Sequence, residues 1–321
     1  MARADHDTPL RATLAGLRDL LRPRARLQLG DDERLEGRTV MITGGNRGLG
    51  LGVAELLAGR GARLILACRS GGPEAAAALR SATGNPKIEA LPVDLSERAS
   101  VAALVDTLAA RELRLDRLVL NAAVIPLESR TSAAGLDLMF HVNFLAAVDL
   151  VEQLLARELI GSAVPGSPAR IVVVSSEAHR SGEPQPLDRL GEPERYGTSG
   201  VLARYGRSKL YLTSYAWALG GALDPAQIGV FVLCPGAVAS DLAREAPRWM
   251  GALLRPTMKL LFQAPKVAAE PVAWLCCARE LDGQTRRYLH MHTPKSPAAW
   301  AIELRNHEAL RAAARELLAR L

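Results

Sequence analysis

The sequence predicts an α/β fold, with one parallel sheet buried between helices on both faces, from three observations. Apolar, β-branched runs alternate with segments of helical period from residue 38 onward, which is typical of consecutive βαβ units. A glycine-rich turn separates the first run from the first helical segment. With 49% hydrophobic and 23% charged residues, the 321-residue chain can bury a core without metals or disulfides. We therefore expect a doubly wound domain of the Rossmann type.

The sheet is expected to contain seven parallel strands, each a short apolar run. Such runs are typical of strands that are buried on both faces. The predicted strands are residues 39–43, 63–67, 88–93, 117–121, 171–175, 230–233 and 287–290. No internal repeat or interdomain linker interrupts them, so all seven are assigned to one domain.

Helices are predicted from their apolar period and from residues typical of helix ends. They cover residues 49–60, 73–80, 97–111 and 136–159. Ser96 is the expected N-cap of the third, since a serine hydroxyl accepts a hydrogen bond from the first helical turn. The fourth is the longest and carries a single apolar stripe, which includes Phe140 and Phe144.

Three segments lie outside this alternation. The extension over residues 1–36 contains a predicted amphipathic helix at 9–29, which either meets an anionic membrane or a partner or packs on its own domain. Residues 177–200 are polar and predict a surface insert. Residues 239–265 are too apolar for an ordinary loop, and either form a lid or pack on the domain or on a second subunit. The main domain is expected over 37–293, with a helical tail over 294–321.

Charge, cysteine content and hydropathy exclude several classes of protein. The net charge of +6 comes largely from scattered arginines, and with 4% aromatic residues and no nucleic-acid-binding motif we expect no DNA or RNA partner. The four cysteines show no Cys-x-x-Cys spacing, so no metal site is expected. No apolar stretch approaches the ~18 residues that span a bilayer, and the N-terminus lacks the pattern of a signal peptide. These features predict a cytoplasmic protein.

The turn after the first strand reads Thr-Gly-Gly-Asn-Arg-Gly-Leu-Gly, residues 43–50. Glycines allow positive φ there and let the backbone approach a pyrophosphate, whose charge the N-terminus of the following helix stabilises. No Gly-Lys-Ser/Thr follows, which excludes the phosphate loop of nucleotide triphosphatases. The turn predicts dinucleotide binding, with contacts from Gly44, Asn46, Arg47, Gly48, Leu49 and Gly50.

The end of the second strand predicts which dinucleotide is bound. Arg69 stands where an acidic residue would bind a free ribose 2′-hydroxyl. An arginine instead pairs with a 2′-phosphate through its planar guanidinium, and Arg47 in the glycine turn can add a second charge. Both arginines therefore predict NADP(H).

Tyr205 is the one tyrosine of five with a lysine four residues later, Lys209. On a helix this spacing places both side chains on one face. A tyrosine with its ordinary pKa of ~10 needs a neighbouring cation to act as an acid/base at neutral pH. Because the chain uses arginine almost everywhere else, a lysine here indicates a role that a guanidinium cannot fill.

Two serines end the fifth predicted strand, at the carboxyl edge of the sheet where ligands of α/β folds bind. The hydroxyl of Ser176 can hold a carbonyl while Tyr205 donates a proton. A nucleophilic serine is not expected, since no Gly-x-Ser-x-Gly turn surrounds it. We interpret His179 as a structural histidine.

These motifs occur in the order found in the short-chain dehydrogenase/reductase family, which the chain resembles over residues 38–290. The resemblance implies a catalytic set of Ser176, Tyr205, Lys209 and Asn143, in which Asn143 holds a proton-relay water. It also implies cofactor contacts from Asp94 and Leu95 near the adenine, from Asn121, and from Pro235, Gly236, Val238 and Ser240 beside the nicotinamide.

The chain departs from the family's pattern at Leu120, Ala123 and Ala146, which stand where the family has an asparagine and two glycines. These positions affect packing more than chemistry, so they put the shape of the substrate in question. The Ala-Cys-Arg strand end, the Ser-Ser-x-Ala-His run and the insert before Tyr205 are most similar to the retinol-dehydrogenase-like branch. The Asn-Ala-Ala segment is also similar to that of protochlorophyllide reductase.

The resemblance implies an NADP(H)-dependent oxidoreductase that transfers a hydride between the nicotinamide and an alcohol or carbonyl carbon. The apolar residues of 239–265 favour a lipophilic alcohol, aldehyde or ketone. Two alternatives remain open: a redox sensor that binds NADP(H) without catalysis, and a light-driven pyrrole reductase.

Overall fold

The computed structural model describes residues 27–164, 166–238 and 263–321, which are built around one sheet. Its strands lie in the order β3-β2-β1-β4-β5-β6-β7-β8, and the seven strands β1 to β7 are all parallel to one another. The strand order reverses between β1 and β4, which confirms the predicted doubly wound fold. The strands are β1 Thr39–Thr43, β2 Arg63–Cys68, β3 Ile88–Pro92, β4 Arg117–Leu120, β5 Ala169–Val174, β6 Ile228–Cys234, β7 Arg287–His290 and β8 Thr293–Lys295.

The sequence predicted a sheet of seven parallel strands and missed the eighth strand, β8. It pairs antiparallel with β7 through a tight turn in which Met291 has a φ of 54°. The turn is held in place by the Met291 N–H, which donates to the Cys234 carbonyl at 2.7 Å. Because β8 has three residues and no apolar run, its pattern carries no strand signal.

Helices cover both faces of the sheet and form two core clusters. On one face α3, α4, α5 and α8 pack through side chains such as Leu104, Phe144 and Leu310. On the other, α1, α2 and α6 pack through Val53, Ala76 and Val272. The helices are α1 Gly48–Gly59, α2 Gly72–Thr83, α3 Arg98–Ala110, α4 (Leu138–Phe140, His141–Leu145 and Ala146–Ala156), α5 Val201–Ala222, α6 Pro265–Cys277, α7 Ala299–Ile302 and α8 Leu304–Arg320.

The expected N-cap of α3 is wrong. Glu97 occupies the N-cap position, and no side chain accepts a capping hydrogen bond there. The Ser96 hydroxyl instead donates to Asp94 Oδ1 at 2.6 Å, which places it in the loop that borders the site described below. A carboxylate two residues away competes successfully for the hydroxyl that would have capped the helix.

Helix α4 is interrupted by a π-helical turn at His141–Leu145, where the sequence predicted one uninterrupted helix. Such turns insert a residue into the helix and often occur at functional sites. Contrary to the expectation from the sequence, the stretch Leu138–Ala156 is long and apolar enough to cross a membrane, but 78% of it is buried inside the domain. Within the described residues α4 is a core helix, packed by Phe144, Val148 and Val151.

The insert over 177–200 contains three short 3-10 turns, Glu177–Ser181, Leu187–Arg189 and Thr198–Gly200. Glu194 ties it to helix α5. Its carboxylate accepts hydrogen bonds from Arg207 Nη1 at 2.8 Å and from Gln185, and it also pairs with Arg204. These contacts hold the insert against the first turns of α5.

Two buried arginines cap the C-terminus of α6. Arg117 Nε donates to the Cys276 carbonyl at 2.6 Å, and Arg170 donates to the carbonyls of Leu275 and Ala278 at 2.8 and 2.7 Å. The last carbonyls of a helix lack partners within the helix and carry partial negative charge, so cations stabilise them. Helix α6 is thereby fixed across the ends of β4 and β5.

The C-terminal tail packs on the domain. Helix α8 buries Leu310, Ala314 and Leu318 against α5 and the neighbouring core. Arg311 and Arg315 on α8 both pair with Glu152 of α4. Residues 1–26 lie outside the described residues, and with them most of the helix predicted at 9–29; residues 239–262 lie outside them as well.

Candidate active site

A cleft with a volume of about 620 Å³ opens at the carboxyl ends of the strands. This edge is where the strand order reverses and where doubly wound folds bind ligands. The predicted site residues that line it are Gly44, Asn46, Arg47, Gly48, Leu49, Gly50, Arg69, Asp94, Leu95, Asn121, Ser176, Tyr205, Lys209, Pro235, Gly236 and Val238. Asn143 is buried nearby and does not line the cleft, and Ser240 lies outside the described residues.

The glycine turn brings β1 and α1 unusually close together. Gly44 has a φ of 66°, and a Cβ on Gly50 would collide with the Gly44 carbonyl oxygen. Asn121, after β4, holds the turn by donating to the carbonyls of Thr43 and Gly44 at 2.9 and 3.2 Å. No side chain caps the first turn of α1. The turn therefore fits a pyrophosphate, whose oxygens accept hydrogen bonds from the first N–H groups of the helix.

Arg69 lies at the end of β2 beside the glycine turn. Its side chain is 69% exposed, and its Nη1 lies 3.7 Å from Asp94 Oδ2. Asn46 joins the two loops by donating to the Ser70 carbonyl at 2.7 Å. Burial alone would raise the pKa of Asp94, but hydrogen bonds from Ser96 and the charge of Arg69 lower it below its ordinary value. A guanidinium and a carboxylate thus share this end of the cleft.

Tyr205 and Lys209 lie on one face of α5, as their spacing predicts. Lys209 is 1% exposed, and its Nζ donates to the Val174 carbonyl at 2.9 Å. The same Nζ lies 5.9 Å from the centre of the Tyr205 ring. Burial lowers the pKa of Lys209 to about 8. Burial and the nearby Cys234 thiol raise the pKa of Tyr205 above its ordinary value, and a hydrogen bond with Ser176 opposes this.

The two serines after β5 have different partners. The Ser175 hydroxyl is buried and lies 2.6 Å from the hydroxyl of Thr213, which joins β5 to α5. Ser176 Oγ accepts a hydrogen bond from the Ala178 N–H at 3.2 Å, and Ser176 lines the cleft together with Tyr205. Ser176 is therefore the serine that can present its hydroxyl to a ligand beside Tyr205.

A close approach of two backbones brings Tyr205 to Ser176. Gly206 follows Tyr205 on α5, and a Cβ at that position would lie 2.5 Å from the Ala178 carbonyl oxygen. Only a glycine allows the helix to lie this close to the turn after β5. Sequence reasoning missed Gly206, although its place directly after the predicted acid/base was a usable signal.

Asn143 connects the loop after β4 to helix α5. Its Oδ1 accepts from the Val124 N–H at 2.8 Å, while its Nδ2 donates to the Val124 carbonyl at 3.0 Å and to Ser208 Oγ at 3.2 Å. The Ser208 hydroxyl in turn donates to the Tyr205 carbonyl at 2.9 Å. Both side-chain N–H donors of Asn143 are used in these bonds, so its side chain positions the loop and the helix.

The predicted set also omitted the residues that line the cleft beyond β4. They are mainly apolar: Ala123, Val124, Ile125, Pro126, Leu138 and Val142. Their position after the carboxyl end of a central strand was a signal for this, because ligands of doubly wound folds bind there. Within the described residues no cluster of three or more metal-ligating side chains occurs.

Comparisons with known proteins agree with this geometry. A family model described as short chain dehydrogenase matches residues 38–186. The chain is 33% identical to retinol dehydrogenase 13 of Mus musculus over 270 residues, covering 82% of this chain and 78% of that protein. It is 35% identical to dehydrogenase/reductase SDR family member 13 of Bos taurus over 273 residues, covering 83% and 69%. A solved structure, the Pseudomonas aeruginosa RhlG/NADP active-site complex, is 26% identical with a TM-score of 0.61, covering 81% of this chain and 98% of that one.

The doubly wound sheet and the cleft at its switch point define a nucleotide-binding fold of the Rossmann type. The chain belongs to the short-chain dehydrogenase/reductase family, in its retinol-dehydrogenase-like branch.

Proposed function

We propose that the protein is an NADP(H)-dependent dehydrogenase/reductase that interconverts a lipophilic alcohol with its aldehyde or ketone. The observation that carries the proposal is the meeting of Ser176, Tyr205 and Lys209 in the cleft that the glycine turn borders. A binding protein without catalysis has no need of a buried lysine beside a tyrosine. The names of the related retinol dehydrogenases support an alcohol or aldehyde substrate.

Each residue of the proposed catalytic set has a separate role in the reaction. A bound nicotinamide supplies or accepts the hydride. Ser176 holds the carbonyl oxygen, and Tyr205 donates a proton to that oxygen during reduction. In the opposite direction Tyr205 accepts the proton, and the Lys209 ammonium stabilises the phenolate that holds the negative charge. Asn143 is proposed to keep the proton-relay water; because its side chain is bonded to Val124 and Ser208, its backbone would have to bind this water.

The positions of Arg69 and Arg47 support a preference for NADP(H) over NAD(H). Both side chains are exposed at the border of the cleft, beside the loops that follow β1 and β2. A guanidinium binds a 2′-phosphate through two parallel hydrogen bonds. Asp94 lies within reach of Arg69 and would orient it.

Replacing Arg69 with alanine should raise the KM for NADPH about 10- to 100-fold, since hydrogen bonds to charged groups contribute roughly 1.5 to 3 kcal/mol. The KM for NADH should change by less than about threefold, because NADH lacks the phosphate. Arg63→Ala is the matched control: Arg63 begins the same strand, pairs with Glu89 and does not line the cleft. An equal change in the KM values for NADPH and NADH would show that Arg69 does not bind the 2′-phosphate.

The apolar lining of the cleft supports a lipophilic substrate. Ile125, Pro126, Leu138 and Val142 line it beyond β4. An apolar wall with few polar groups is typical of sites that bind lipophilic ligands. Residues 239–262, which make up most of the lid predicted at 239–265, lie outside the described residues.

The test is oxidation of NADPH and of NADH, measured at 340 nm, across long-chain and cyclic aldehydes and ketones, with polar sugars as the contrasting class. We expect turnover with lipophilic carbonyls and NADPH. Tight NADPH binding without turnover on the whole panel would favour a redox sensor. Turnover that requires illumination and a pigment substrate would favour a pyrrole reductase.

We also propose that the protein is cytoplasmic, with membrane contact through its N-terminal residues and self-association as two further properties to test. The four cysteines are buried and unpaired, which supports a reducing, cytoplasmic compartment. Contact of the N-terminal residues with a membrane surface is tested by co-sedimentation with anionic vesicles. Self-association is tested by analytical ultracentrifugation.

A further inference from the structure

The turn Glu177–Ser181, directly after Ser176, is organised around a fully buried histidine. His179 is 0% exposed, and its Nδ1 lies 2.6 Å from the Ser176 carbonyl oxygen. The backbone N–H of His179 donates to the same oxygen at 3.0 Å. The carbonyl of Ser176 is thus held twice by one residue.

The partner of the second ring nitrogen determines which tautomer is present. Nε2 accepts a hydrogen bond from the backbone N–H of Ala298 at 2.9 Å, and a backbone N–H can only donate. The ring proton of the neutral imidazole therefore sits on Nδ1, which donates to Ser176. Burial and the neighbouring Arg180 lower the pKa of His179 to about 4, so the ring stays neutral at physiological pH.

Other contacts clamp the same turn from outside. The His179 ring lies 5.2 Å from the ring of Tyr288, whose hydroxyl donates to Glu177 Oε1 at 2.6 Å. Arg180 Nη2 donates to the Ser296 carbonyl at 2.6 Å. Residues 296–298 belong to the tail that leads into α7, so the C-terminal tail contacts the turn that directly follows the residue proposed to hold the substrate.

We propose that His179 is a positioning residue, whose Nδ1–H fixes the Ser176 backbone and so sets the Ser176 hydroxyl relative to Tyr205. Through Nε2 the C-terminal tail takes part in holding this geometry. The inference rests on the proposed function, because it assigns the reacting geometry to Ser176 and Tyr205. It differs from an acid/base role for His179, since both ring nitrogens are occupied by backbone groups.

A pair of substitutions separates the two ring nitrogens. In His179→Asn the amide nitrogen can take the place of Nδ1 and keep the bond to Ser176. In His179→Gln the longer side chain reaches the place of Nε2 and keeps only the contact with Ala298. We expect kcat with NADPH to fall about tenfold or more in His179→Gln, because a displacement of about 1 Å can cost up to ~100-fold. In His179→Asn it should fall less than about threefold, with an unchanged Kd for NADPH in both variants.

A second readout does not depend on turnover. In the NADPH-bound protein, amide hydrogen exchange over residues 177–182 should be faster in His179→Gln than in the wild type and near the wild-type rate in His179→Asn. If the wild type turns over no carbonyl, the proposed function fails, while this exchange pattern still decides the role of His179. Equal kcat and equal exchange in the two variants would overturn the inference.

Ala298→Pro provides a variant that leaves His179 intact. Ala298 has a φ of −57°, which proline adopts. The substitution removes the Ala298 N–H, which donates the hydrogen bond that His179 Nε2 accepts. We expect a two- to tenfold fall in kcat with an unchanged Kd for NADPH, in proportion to the loss of one hydrogen bond of about 1 kcal/mol. Wild-type kcat in this variant would contradict the part assigned to the tail.

Discussion

Tyr205→Phe is expected to lower kcat about 100- to 10,000-fold, the range that a positioned general acid/base contributes. The substitution removes one hydroxyl from a side chain that lines the cleft together with Ser176. The aromatic ring remains and keeps its contact with Lys209. The Kd for NADPH should therefore change by no more than a few-fold, as measured by quenching of protein fluorescence.

The matched control for this prediction is Tyr215→Phe. Tyr215 is buried on the same helix, but its hydroxyl faces Glu152 at 3.4 Å and does not line the cleft. Its loss should leave kcat within about twofold, since a long hydrogen bond away from the site contributes little to catalysis. Undiminished turnover in Tyr205→Phe would falsify the proposed chemistry.

Lys209→Met is expected to lower kcat/KM about 10- to 1,000-fold in the direction of alcohol oxidation. Methionine keeps much of the buried volume and removes the ammonium that stabilises a phenolate at Tyr205. An adjacent opposite charge lowers the pKa of an acid by roughly one to three units, and each unit is a factor of about 10 in the population of the phenolate. The Val174 carbonyl also loses its donor.

The pH profile tests whether the charge of Lys209 causes this effect. The pKa of Lys209 is lowered to about 8, so its charge is present below that pH and is lost as the pH rises through it. The ratio of wild-type to Lys209→Met activity should therefore decrease above about pH 8. Lys266→Met is the control, because Lys266 is 65% exposed and pairs with Glu55 on α1. A ratio that stays constant from pH 6 to 10 would point to a loss of packing instead of charge.

Several structural features followed from local pattern alone. Strands β1 to β7 were found because buried parallel strands are short, apolar and bounded by turns, and their predicted ends differ from the observed ones by no more than two residues. The glycine turn was recognisable because the required backbone approach leaves no room for a side chain, as at Gly50. Tyr205 and Lys209 share a face because four residues make about one helical turn.

Other features depended on contacts between residues far apart in the chain. Arg117 and Arg170 lie at the starts of β4 and β5, and both are buried. Their guanidinium groups bind the carbonyls at the C-terminus of α6, more than 100 residues later in the chain. Strand β8 forms because the Met291 N–H reaches the Cys234 carbonyl. No periodicity encodes either contact.

The sequence by itself determined the class of fold, the glycine turn and the placement of Tyr205 and Lys209 on one helical face, because each depends on residues within a few positions of one another. Tertiary structure alone decided which groups hold that pair in place. Gly206 lets α5 approach the turn after β5, and Asn143 ties Val124 to Ser208. His179 joins Ser176 to the C-terminal tail at Ala298. Such contacts form only when separate elements pack, so the partner of a buried donor is fixed by the fold and not by its neighbours in the sequence.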